Sequence, residues 1–189
     1  MNAVFFGVVL LQILTPALGY GTGAPTEACG NMKPGHKGIV PQTSQSPYSI
    51  QVSNTTFTSG KPITVTIIGP DYGGVLLQAR SGTNTDALGS WGSPPNNTKY
   101  LTCSKNSKGA ITHSSPDMKN NLVYTWIPPA SYSNIYFVAT VAKDKAVYWL
   151  DVRSANLTRD GPGSGADPES VVTPGLLMIT LLISTVLQK

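Results

Sequence analysis

The side chains able to do chemistry are few. His36 and His113 are the only two histidines, so a three-histidine metal centre is excluded and a nucleophilic triad would have to recruit one of them. His36, His113 and Asp117 form one conceivable metal set, although nothing in their spacing brings them together. The opposed reading is structural, each imidazole tying a loop to a sheet through a hydrogen bond. Cys29 and Cys103 are the only two cysteines. In an oxidising compartment an even pair is most simply a disulfide, and the competing two-thiol metal site lacks clustered partners. Closing so long a loop removes on the order of 4 kcal/mol of unfolded-chain entropy. No Gly-x-Ser-x-Gly elbow, His-Glu-x-x-His helix or phosphate loop is present. Gly161-Pro162-Gly163-Ser164-Gly165 looks superficially like a nucleotide loop, but no strand precedes it and no soluble helix follows, so it reads as linker. Catalysis is not expected, and no catalytic, metal or cofactor-binding residue and no cofactor is assigned.

The elements that would position these residues have a hydrophobic period of two. Tyr48, Ile50 and Val52 alternate with polar neighbours, as do Ile63, Val65 and Ile67, and again Leu122, Tyr124 and Trp126. These are half-buried strands. Val75–Arg80, Ile135–Val141 and Ala146–Val152 are more continuously apolar and rich in β-branched and aromatic residues, as central strands are. Gly and Pro clusters punctuate them at Ser59–Pro62, Gly69–Gly74, Gly89–Pro95 and Pro128-Pro129, and Lys143-Asp144-Lys145 predicts a tight hairpin. About seven short strands without an amphipathic helix predict an all-β, immunoglobulin-like antiparallel sandwich. Trp126 and Trp149 are expected in the core. Trp91, set among Gly and Pro, either contacts a partner or folds back to cap the sandwich.

The two ends differ from the middle. Residues 1–19 hold an apolar run closed by Ala17-Leu18-Gly19, the pattern of a signal peptide cleaved before Tyr20. Residues 20–155 are expected to form the sandwich and 156–170 a Gly/Pro/Ser-rich linker and spacer. The hydrophobic tail, 171–189, would cover roughly 25 Å as a helix, short of a hydrocarbon core of about 30 Å. Small residues, a polar spacer and then this tail match the layout of a glycosylphosphatidylinositol signal, with Ser164 the attachment candidate. A short transmembrane helix and a retained tail on a soluble protein are the alternatives.

Sequons at Asn54, Asn96 and Asn156 suit the same compartment. The formal net charge is +4 and the pI about 9.1, but the basic residues are scattered singly. No run tracks a phosphate backbone, so nucleic acid is not an expected partner.

Several segments look familiar in their order: Cys29-Gly30-Asn31-Met32-Lys33-Pro34-Gly35-His36, Pro41-Gln42, Ser46-Pro47-Tyr48, Gly74-Val75-Leu76-Leu77-Gln78-Ala79-Arg80, Leu101-Thr102-Cys103, Ile111-Thr112-His113 and Val147-Tyr148-Trp149. Together they resemble the reeler (reelin amino-terminal) domain from about Cys29 to Ser154. The resemblance implies an immunoglobulin-like sandwich and maps the family's conserved bond onto Cys29 and Cys103. By architecture the chain looks most like the small insect-type defense proteins, and departs from them in its apolar tail. The family's ferric-chelate reductase-like members carry a haem domain, and nothing here matches it.

Three functions follow as expectations. The first is an extracellular innate-defence role, antimicrobial or microbe-binding, in which the scattered Lys33, Lys37, Lys99, Lys105, Lys108 and Lys119 would converge on one face toward anionic surfaces, the alternative being that they serve ordinary solubility. The second is a cell-surface or matrix adhesion module binding protein or glycan through loop aromatics, Tyr72, Trp91 and Tyr100. The third, an orphan part of a reductase assembly, would need haem ligands that this sequence lacks. Trp91, Lys99 and Tyr100 are the expected ligand contacts, and the membrane is a partner through the C-terminal anchor.

Overall fold

The computed structural model describes residues 21–36 and 38–161. The expected signal peptide, Lys37, Ser164 and the apolar tail lie outside the described residues. The elements are α1 (Ala28–Asn31), β1 (Ser49–Val52), β2 (Thr56–Phe57), β3 (Ile63–Ile68), β4 (Gly74–Arg80), β5 (Ser90–Trp91), β6 (Thr98–Cys103), β7 (Asn106–His113), β8 (Val123–Ile127), β9 (Asn134–Ala142), β10 (Tyr148–Arg153) and β11 (Leu157–Arg159). A four-stranded sheet runs β1-β3-β8-β5, and a seven-stranded sheet runs β2-β11-β9-β4-β7-β6 with β10 also paired to β9. Pairing is antiparallel except between β2 and β11. The all-β sandwich is as expected.

Alternation decides which strands bury one face. In β3, Ile63, Val65 and Ile67 point inward while Thr64 and Ile68 are exposed. Between the sheets, Trp126 packs edge-on to Phe137 at 5.1 Å and Trp91 lies 5.8 Å from the same ring. Gly89, at φ +64°, sits where a Cβ would fall 2.5 Å from the Trp126 ring, so glycine alone allows that approach.

β4 and β9 are apolar on both faces because both faces are covered. Inward, Val75, Leu77, Ala79, Phe137, Ala139 and Val141 join the inter-sheet core. Outward, Leu76, Val138, Tyr136, Ala110 and Leu101 form a second cluster with Ala28 and Met32 of the N-terminal segment. The Cys29–Cys103 disulfide staples that segment to β6, with Cα atoms 5.6 Å apart. The outward face of β4 then places Gln78 and Arg80 under α1. Gln78 Nε2 donates to the Cys29 carbonyl at 3.1 Å, and Arg80 Nη2 donates to the Cys29 and Gly30 carbonyls at 2.6 and 3.0 Å. Thr140 Oγ1 adds a bond to the Met32 carbonyl at 2.6 Å. Buried polar groups are costly unless paired, and here the pairs pin one irregular segment to a sheet.

Two elements depart from expectation. β6 and β7 form a hairpin through Ser104-Lys105, both at positive φ (51° and 61°), the signature of a type I′ turn without its usual Asn-Gly. Ser104 Oγ accepts from Ala87 N and donates to Asp86 Oδ1, holding the turn. β11 carries the sandwich past the boundary expected at residue 155, because Leu157 is fully buried and Arg159 caps Phe57 at 5.0 Å.

Tyr72 and Tyr124 share a hydroxyl–hydroxyl hydrogen bond at 3.2 Å in the core. Burial raises both phenol pKa values above the ordinary 10.0. Below that pH both folded and unfolded chains keep these phenols neutral. Above it only the unfolded chain ionises them, so stability is lost as pH rises, by roughly 1.4 kcal/mol per pH unit for each tyrosine. Alkaline denaturation followed by phenolate absorbance should show these two groups ionising only on unfolding. Tyr124→Phe should shallow the stability loss above about pH 10 by roughly half of what the pair contributes.

Candidate functional site

The expected ligand contacts do not assemble. Trp91 is 1% exposed, and its Nε1 donates to the Gly109 carbonyl at 3.3 Å, so it is a core residue and not a ligand platform. The reason is its pairing with Trp126 across β5 and β8, which turns the ring between the sheets. Lys99 and Tyr100 are consecutive on β6 and therefore face opposite sides. Lys99 is exposed with its stem over Gly23, whereas Tyr100 is half-buried beneath Lys108, whose Nζ lies 5.4 Å from the ring centroid. Tyr72 is buried as well.

Lys119 also leaves the expected basic face. It is 3% exposed, and its ammonium donates to the carbonyls of Gly73, Ser115 and Asp117 at 2.9, 2.9 and 2.6 Å. Burial pulls its pKa below the ordinary lysine value. Three carbonyls around one ammonium fold residues 115–119 against the start of β4, a structural use that no local pattern announces. Lys33, Lys105 and Lys108 are exposed, as expected, and Lys105 and Lys108 share the β6–β7 hairpin with Lys99.

The two histidines share the lining of one cavity but form no metal set among the described residues. Among the described residues no three or more His, Cys, Asp or Glu side chains gather into a ligand cluster. His113 Nδ1 lies 3.3 Å from both the Val75 N and O, the sheet-tying role that was one of its two readings. Asp117 Oδ2 accepts from Ser115 Oγ at 2.9 Å. His36 packs edge-on to Tyr148 at 6.4 Å, and its Nδ1 is buried without a hydrogen-bond partner among the described residues.

Both imidazoles line one cavity of about 450 Å³. Its floor is the outward face of β4 and β9 at Gly74, Leu76 and Ala142, and its roof is the N-terminal segment at Ala24, Pro25 and Met32. Gly74 opens the floor, since a Cβ there would press on the Ala142 Cβ at 3.2 Å and approach the His113 ring at 3.6 Å. The Lys119-held loop adds Pro116 and Met118, and the exposed β9–β10 turn adds Lys143, Asp144 and Lys145. The cavity exists because the disulfide-tied segment roofs only part of the sheet, a long-range arrangement with no sequence signature.

The three sequon asparagines, Asn54, Asn96 and Asn156, are exposed in connections between strands. Among the described residues no helix is long and apolar enough to cross a membrane.

Comparison with known proteins places this geometry. The Reeler domain family model matches residues 27–164. "Putative defense protein 3" of Antheraea mylitta is 36% identical over 163 residues, covering 84% of this chain and 96% of that protein. Bos taurus ferric-chelate reductase 1 is 32% identical over 170 residues, covering 88% of this chain but only 28% of the reductase. The crystal structure of the human F-spondin reeler domain superposes with a TM-score of 0.53 at 17% identity, covering 66% of this chain and 96% of that one.

Proposed function

Because the chain belongs to the Reeler domain family, we propose that it acts outside the cell as a non-enzymatic defence protein that binds microbial surfaces. The observation that carries this reading is coverage. The insect defense relative is matched over 96% of its length, whereas the reductase is matched over 28%, the reeler portion alone. The reductase activity belongs to that longer protein and is not carried over.

On this reading the β6–β7 hairpin is the contact surface. Lys99, Lys105 and Lys108 are exposed on a β-hairpin at the edge of the large sheet, and Tyr100 supports Lys108 from below. Ammonium groups carried on both faces and at the turn of a rigid edge hairpin attract anionic polymers without needing a lytic helix. Glycans at Asn54, Asn96 and Asn156, and a lipid anchor at Ser164, complete the proposal, holding the domain at the outer face of the plasma membrane.

The test is binding to whole bacteria by the disulfide-closed, glycosylated protein, with survival counted in parallel. Saturable binding at physiological salt is expected, and K99E/K105E/K108E should weaken it about tenfold, the effect of roughly 1.4 kcal/mol shared by three exposed charges. Absence of binding at micromolar protein would sink the defence reading and favour an adhesion or matrix partner.

A further inference from the structure

We propose that the cavity roofed by the N-terminal segment binds a single-chain anionic amphiphile, a hydrocarbon tail ending in a carboxylate or phosphate. This assignment goes beyond the defence reading and does not depend on it, since it rests on a different surface of the domain.

The cavity's size, about 450 Å³, falls in the range of small-molecule sites. Its floor and roof are Met32, Leu76 and Ala142, with the exposed Pro116 and Met118 at its mouth, side chains that offer a guest only apolar contact. Two of the polar side chains beside that floor are already engaged. Thr140 Oγ1 donates to Met32 O at 2.6 Å, and His113 Nδ1 lies 3.3 Å from both backbone atoms of Val75. Against the floor a polar guest would therefore lose its water without gaining a partner from Thr140 or from the His113 Nδ1, while an alkyl chain loses nothing. The rim has the opposite character. Lys33, Lys143 and Lys145 line it, all exposed, against Asp144 as the one acidic lining residue among the described residues. His36 stands in the same lining with Nδ1 buried and without a hydrogen-bond partner among the described residues. A head-group oxygen would supply that partner, and the lysines would balance its charge.

Carboxylates of increasing chain length supply the probe. Calorimetric titration of the full, disulfide-closed chain with octanoate, decanoate and dodecanoate, each below its micelle concentration, should give one site. Affinity should rise about fourfold per added methylene until the cavity is full. Dodecanol, with the same tail and no charge, should bind about tenfold more weakly than dodecanoate. K33E/K143E changes only exposed side chains and should remove that preference while leaving the alcohol's affinity unchanged. Ala142→Trp fills the floor and should abolish both; its thermal unfolding reports whether the domain still folds. Chain-length-independent binding, no saturable binding, or an unchanged dodecanoate affinity in K33E/K143E would overturn the assignment. So would binding to phosphatidylglycerol vesicles with no binding of the monomeric carboxylates, which would place the lysines on a membrane surface instead. Loss of bacterial binding in K99E/K105E/K108E leaves this outcome untouched, so the two readings fail separately.

Discussion

The C29S/C103S variant is expected to lose about 4 kcal/mol of stability, the loop-closure entropy of a cross-link this long. The two cysteines are 74 residues apart in sequence and both lie in the outer cluster, so the bond restricts most of the domain in the unfolded state. For a domain of this size that corresponds to a fall in melting temperature of roughly 10–20 °C. The folded state changes too. Released at Cys29, the N-terminal segment uncovers Leu76, Ala110 and Val138, which the inter-sheet core does not need. Thermal denaturation, together with binding of a dye specific for exposed apolar surface, checks both parts. An unchanged melting temperature would mean that the segment is held by its hydrogen bonds alone.

Those hydrogen bonds make the second large expectation. Arg80→Leu should cost about 3 kcal/mol. Arg80 is 7% exposed, and among the described residues its guanidinium bonds neutral groups: the carbonyls of Cys29 and Gly30, and Gln78 Oε1 through Nε at 3.0 Å. Burial lowers its pKa from the ordinary value, but an arginine stays protonated under any condition in which the domain folds. Leucine fills part of the space but takes the charged donor from the buried Gln78 Oε1 and from the Gly30 carbonyl, and leaves the Cys29 carbonyl with Gln78 Nε2 alone; a buried acceptor left unmade costs about 1–3 kcal/mol. Arg80 and the disulfide hold the same segment, so their effects should not add. In the C29S/C103S background the substitution should cost at least about 1 kcal/mol less than in the intact protein. Additive losses in urea denaturation would show that the segment does not detach as a unit.

These two expectations mark where local reading of the chain stops. The alternation in Ile63, Val65 and Ile67 was enough to place β3, because a side-chain period of two leaves only one face to bury. The continuous apolar character of Val75–Arg80 and Ile135–Val141 marked them as central strands. What lay over their second face was not legible, since the cover is an irregular segment with no period of its own. The β6–β7 hairpin went unread because Ser104-Lys105 lacks the residues that favour positive φ, and its turn is secured instead by Asp86 and Ala87, distant in sequence.

The composition of single residues misled in the same way. Trp91 among glycines and prolines looked like a loop aromatic, and Lys119 looked like one more surface charge. Strand pairing buried the first and three carbonyls enclosed the second. Patterning by itself determined the all-β class, the principal strands and the pairing of the only two cysteines, because those depend on periodicity and on a count. The cavity, its lysine rim and the buried Arg80 network were decided only by the tertiary structure. Each arises where residues far apart in sequence meet over one sheet face, and no local spacing encodes that meeting.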